Sequence, residues 1–303
     1  MHYISAFYFR KFGFETIDNP KTEKKRKKGI RVYTLNKEYL RNKECIIERR
    51  NPDALCNISK YNTPDQETRL SKVENTCSVS VNAIINQNFN SEDIINIKAL
   101  IAFFYSNTPD KRRQISNPLE KLTQGPFSDE ELKEIESLIG GPFEDGIKRK
   151  AHASAAFSMQ LLSQLITWDY HLVYIGEKEN HEFVTSDRPV CSVTISQENG
   201  LSTHQGWEYS NTDGSISLFK NLDEIIIPQD MIFYFPINPK TAIFLYHKPF
   251  LYHKPKEKQY IPNFKDNIQY VNWAQFACCE KFIIGQNETI LEQVYNEINA
   301  LTS

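Results

Sequence analysis

The apolar residues of this chain change their spacing once, and that change limits the folds open to it. Leu70, Val73, Cys77, Val81 and Ile84 recur at steps of three and four, and Ile94, Ile97, Ile101 and Phe104 repeat the pattern. Each set lines one face of a helix. Thr63-Pro64-Asp65 marks the start of the first helix, Ser91 stands at the N-cap position of the second, and Asn107-Thr108-Pro109 ends it. The short join between them predicts an antiparallel pair. Phe157, Leu161, Leu165 and Trp168 mark a further helix. Beyond Trp168 the texture is different: HLVYIG, EFVTSD, MIFYFPI and TAIFLYH are short, rich in aromatic and β-branched residues, and separated by turn formers.

Helices segregated from strands along the chain predict an α+β fold rather than alternating βαβ units. The expected architecture is a helical N-terminal half packed on a mainly antiparallel sheet formed by the C-terminal half. VNWAQFACCEKFIIG and ETILEQVYNEINAL then close the chain as helices. Near the start, SAFYFRKF reads as a short aromatic helix and IRVYTL as a strand, while SDEELKEIESLIGG, with Ser128 as cap, reads as a helix in the middle. With no long flexible linker, residues 1–303 are expected to form one domain; the alternative division is 1–168, mainly helical, and 169–303, strand-rich.

Hydrophobic residues make up 40% of the chain, enough to fill a core at this length. The longest apolar run, ALIAFFY, is far short of the roughly 20 residues that cross a bilayer. The N-terminus lacks the pattern of a secretory leader, and the six cysteines form no C-x-x-C pair, which predicts a cytoplasmic protein without a disulfide framework or zinc ribbon. The net charge of -2 conceals one asymmetry: KTEKKRKKGIR, residues 21 to 31, holds seven basic residues and one acid. It reads either as a solvated loop or as an arm in which Lys25, Arg26 and their neighbours contact phosphates.

The hexapeptide FLYHKP occurs twice in succession and places His247 and His253 six residues apart. In an extended chain they would stand about 20 Å from each other, too far to share a metal ion. The repeat reads as a strand end followed by a loop. P-loop, dinucleotide-binding glycine, nucleophile-elbow and zincin motifs are all missing from the sequence.

Three polar positions are not demanded by ordinary packing. His2 precedes a densely aromatic segment and is either a structural histidine or a general acid or base. Glu74, one residue after Val73, borders the apolar stripe of its helix seven residues on from Glu67, so it is the better candidate for a partly buried carboxylate. Asp187 ends a strand in FVTSDRPV and is held in a fixed direction by Pro189 close behind. It suits either a metal ion or a turn in which its carboxylate satisfies local N–H groups.

The same segments carry a family resemblance. HYISAFYFRKF, DQETRLSKVENTCSVSVNAI, FFYSNTPDKRR, WDYHLVYIGEKENHEFVTSDRPV and MIFYFPINPKTAIFLY, in this order, resemble the bacterial domain-of-unknown-function family 4238 over nearly the whole chain. Its recurring polar positions correspond to His2, Glu74, Thr108, Asp187 and Pro189. The chain departs from the family pattern at Ser5, where proline is usual, and at Asn107, where arginine is usual; Arg112 or Arg113 would supply that charge from the next turn. The resemblance implies an accessory protein of toxin or phage-defence biology and assigns no activity.

Together these features lead to an expectation of a nuclease or phosphodiesterase-like effector. In it Glu74 and Asp187 hold a divalent ion such as magnesium or manganese, and His2 transfers a proton. Arg112, Arg113, Lys25 and Arg26 contact phosphates, and the partners are nucleic acid or a protein encoded nearby. The alternative is a non-enzymatic binding or sensor module in which the same His, Glu and Asp form a structural network. Recognition of nucleic acid without cleavage is the third reading.

Overall fold

The structure is a computed structural model and describes residues 6–18, 27–42, 44–56, 64–108, 157–176, 179–196, 200–203, 231–246 and 268–302, with single helical positions at 130 and 133. His2, Lys25, Arg26, Arg112, Arg113, His247 and His253 lie outside the described residues, as does nearly all of SDEELKEIESLIGG.

The aromatic start forms α1 (Ala6–Phe9) and a 3-10 turn (Arg10–Phe12), followed by β1 (Phe14–Asp18), β2 (Lys27–Asn36), α2 (Lys37–Arg41), β3 (Ile47–Arg50) and α3 (Pro52–Cys56). The two periodic stretches are α4 (Pro64–Ile85) and α5 (Ser91–Asn107). They pack together through Cys77, Ser80 and Asn96, whose Nδ2 donates to Ser80 Oγ at 3.0 Å. Cys77, Val81 and Ile84 are buried as the pattern requires, whereas Val73 remains 44% exposed. The N-cap of α5 is Asn90, one residue before Ser91: its side chain accepts the N–H groups of Glu92 and Asp93, and Asp93 answers with a bond to the Asn90 N–H.

A helix described over 157–165, here α6, leads to β4 (Asp169–Tyr174). Lys98 on α5, almost fully buried, donates to the carbonyls of Ile166 and Trp168 just past the end of α6 and so satisfies acceptors that the helix leaves open. Then follow β5 (Thr185–Ser186), β6 (Cys191–Ser196), β7 (Gly200–Thr203), β8 (Met231–Asn238), β9 (Thr241–Tyr246), α7 (Ile268–Cys278), β10 (Phe282–Gly285) and α8 (Glu288–Thr302).

The fold is α+β with antiparallel pairing. The strands form two sheets where the sequence reading expects one. One sheet has the order β4-β9-β8-β6-β7 and comes from the second half of the chain. The other runs β1-β2-β10-β5, with β3 also on β2, and joins three N-terminal strands to two from the second half of the chain. FIIG is therefore a strand and not helix: after Cys279 the chain turns and places Ile283 and Ile284 opposite Leu35 and Thr34 of β2.

Alternation along the strands sends their side chains into three cores. Phe233, Phe235, Ile243 and Leu245 meet α4, α5 and α6 on one face of the first sheet. Tyr234, Ala242 and Phe244 meet Ile268, Val271 and Ala274 of α7 on the other. Leu35 and Ile283 of the second sheet pack under Leu291, Val294 and Ile298 of α8.

Candidate functional site

Residues 182–190 cross from one sheet to the other and back, and every core reaches this crossing. Phe183 packs in the α7 core, Val184 in the α8 core and Val190 in the core beneath α4 and α5. A crossing chain leaves its backbone groups without a full ladder, so other groups must satisfy them. Asn272 and Gln275, three residues apart on one face of α7, meet that need. Asn272 accepts from the Val184 N–H at 3.0 Å and donates to the Glu182 carbonyl at 2.9 Å. Gln275 donates to the Pro189 carbonyl at 2.8 Å, and its Oε1 lies 2.8 Å from Ser186 Oγ. The side of the helix that faces the crossing thus acts as a substitute strand edge.

Asp187 completes the seam. Its side chain is 4% exposed. Oδ1 accepts the Glu280 N–H at 2.8 Å, and Oδ2 accepts the N–H groups of Lys281 at 2.6 Å and Phe282 at 3.3 Å. These donors span the turn after α7 and the first residue of β10. The Asp187 N–H in turn donates to the Phe282 carbonyl at 3.2 Å, and the Arg188 guanidinium stands 3.4 Å from Glu280 Oε2.

Burial pushes the Asp187 carboxyl up to about 6, while the N–H groups of Glu280 and Lys281 and the charge of Arg188 pull it back. A folded value above the unfolded one means that the native state binds the proton more tightly. The resulting stabilisation is complete below the unfolded value of 3.8 and is lost as pH rises through about 6. Denaturant unfolding of wild type and Asp187→Asn from about pH 4 to about pH 7 is therefore expected to show wild type losing about 2 kcal/mol relative to the variant. A gap that instead grows with pH would mean that the three N–H donors outweigh desolvation.

Tyr8 ties α1 to the same crossing. Its ring is buried among Phe9, Phe12, Phe104 and Phe235. Its hydroxyl donates to the Pro236 carbonyl at 2.7 Å and lies 2.6 Å from Thr185 Oγ1. One phenol has one proton, so Thr185 is the donor in the second bond.

Glu74 is half-buried on α4 and helps, after burial, to hold the Cys77 thiol up at about 11. Thr108 is buried at the end of α5. No group of three or more His, Cys, Asp or Glu side chains among the described residues is placed to share a metal ion.

A second polar surface lies on the β1-β2-β3 part of its sheet. Phe14 pairs with Arg31, and Tyr33 pairs with Arg49, so all four side chains rise from one face. The Phe14 and Tyr33 rings stack at 4.6 Å, and the exposed Arg49 guanidinium lies over Tyr33, 5.4 Å from the ring centre. Arg50 points to the opposite face, over Phe282, where Glu48 holds it.

The family model described as "Protein of unknown function (DUF4238)" matches residues 1–289. The chain belongs to this family. No curated protein and no solved structure matches it. In this DUF4238 chain, Ser186, Asp187 and Pro189 fasten the crossing to α7 and to the start of β10, while Thr185 ties it to Tyr8 of α1. Sequence reasoning missed Asn272 and Gln275, although two amides three residues apart in the otherwise apolar VNWAQFACC were a visible signal. It also missed Tyr8, whose hydroxyl looks no different in sequence from any other in an aromatic run. No helix among the described residues is long and apolar enough to cross a membrane.

Proposed function

We propose that this chain is a non-enzymatic nucleic-acid-binding module that takes single-stranded RNA or DNA on the face formed by Phe14, Arg31, Tyr33 and Arg49. The observation that carries the reading is the pairing on this face: a stacked aromatic pair flanked by two arginines, on a strand that continues directly from the basic run of residues 21–31. Unpaired bases stack on aromatic rings, and arginines beside them meet the phosphates. Tyr33 carries Phe14 and Arg49 on its ring and packs against the α8 core, so the ring offered to a base is Phe14, backed by Tyr33. Duplexes hide their base faces and suit this surface less well.

The competing reading is a metal-dependent nuclease of toxin or phage defence with Asp187 as a metal ligand. It would require a residue that is 4% exposed to turn its carboxylate from the three backbone N–H groups it now accepts, at the cost of leaving at least the more protected of them without a partner. The bonding of Asp187 favours its part in a structural network instead.

The test is fluorescence anisotropy of a labelled single-stranded oligonucleotide against the full chain at two salt concentrations. Binding that weakens steeply with salt supports the proposal. Absent or salt-indifferent binding overturns it.

A further inference from the structure

Cys191 opens β6 on the face turned toward α7 and is fully buried there, opposite Tyr234 of β8. Its thiol lies 3.6 Å from the Ala274 carbonyl, to which it donates. Cys278 follows Ala274 by one helical turn, so it rises from the same side of α7. Its side chain packs against the same core as Cys191, close enough for the two thiols to influence each other's ionisation. Both are thiols, not joined in a disulfide. They differ in access, Cys278 being half-buried and Cys191 sealed.

We propose that Cys191 and Cys278 form a dithiol site that hydrogen peroxide closes to a disulfide, joining β6 to the last turn of α7. In the first step the Cys278 sulfur attacks one peroxide oxygen. The O–O bond breaks, and Cys278 becomes a sulfenic acid while the other oxygen leaves as water. In the second the Cys191 sulfur attacks the Cys278 sulfur, the S–O bond breaks, and the departing hydroxide takes the Cys191 proton as water. Two thiols and one peroxide thus give one disulfide and two waters.

The order of steps follows from access. Burial pushes the Cys191 thiol up, so it is a poor nucleophile toward an oxidant in solution. Held against Cys278, it needs only an intramolecular step. The bridge would fasten the helix that holds the crossing through Asn272 and Gln275, and closing a long loop raises stability.

The experiment treats the full chain with hydrogen peroxide, blocks remaining thiols with iodoacetamide and maps linked peptides by mass spectrometry. A Cys191–Cys278 linked peptide, together with a rise of a few degrees in the unfolding midpoint, is expected. In Cys278→Ala, which alters the more exposed partner, Cys191 should remain free and the midpoint should no longer respond to peroxide. A Cys278–Cys279 or Cys278–Cys45 linkage, or full alkylation of both thiols after oxidation, would overturn the proposal. So would a midpoint in Cys278→Ala that still rises with peroxide.

Discussion

Asp187→Ala is expected to lower the free energy of unfolding by about 3 kcal/mol near neutral pH, the largest loss among substitutions of the polar seam. The substitution removes the acceptor for three N–H groups, two in the turn before β10 and one at its first residue. Bonds to an ionised group are each worth about 1.5–3 kcal/mol, and part of their sum is offset because a costly buried charge disappears with them. Lys281 is exposed, so water can take over its N–H; Phe282 is more protected. Asp187→Asn keeps the shape but turns an NH2 group toward one of the donors, and should fall between alanine and wild type. Glu74→Ala, at a half-exposed helix position, should cost no more than about 0.5 kcal/mol. Denaturant unfolding with unchanged slope checks all three. Equal small losses at positions 74 and 187 would show that the seam does not hold the crossing.

Arg49→Glu is expected to weaken binding of a single-stranded oligonucleotide about tenfold, equivalent to about 1.4 kcal/mol. The change removes one phosphate-binding charge and introduces repulsion beside the Phe14 and Tyr33 rings. Its effect on folding should stay small, because Arg49 is exposed and its interaction with Tyr33 is worth about 0.5–1 kcal/mol. Arg50→Ala is the matched control: it lies on the same strand but faces the other way, and binding should not change. Neutralising Lys24 to Lys28 should flatten the dependence of affinity on salt by about 0.7 in the logarithmic slope for each phosphate that is no longer neutralised. Equal losses from Arg49→Glu and Arg50→Ala would mean that charge in general, and not this face, governs binding.

Long periodic helices and the β8–β9 hairpin were legible in the sequence because each satisfies its pattern locally. Ile94, Ile97, Ile101 and Phe104 are all buried, and Phe233, Phe235, Ile243 and Leu245 share a core as alternation requires. What escaped depends on distant partners. FIIG is too short to declare itself, and becomes a strand only because β2 offers it an edge. Val73 fits the helical repeat and is nonetheless partly exposed, since spacing describes a face without saying how far its neighbours extend.

The site shows the same division. That Asp187 is held in a fixed direction could be read from the strand end and Pro189. What it is aimed at could not, because its partners are backbone N–H groups at 280–282, which leave no mark in the side chains. The arginine–aromatic face likewise exists only once register sets Phe14 beside Tyr33 and Arg49 above it.

The most direct test of the account follows the fate of a bound strand. An end-labelled single-stranded oligonucleotide would be incubated with the full chain and magnesium or manganese, then resolved in parallel on a native gel for binding and on a denaturing gel for length. The account predicts a shifted band on the first and an intact strand on the second. Shortened products that vanish in an Asp187→Asn variant retaining a cooperative unfolding transition would contradict it, and would place that carboxylate in catalysis.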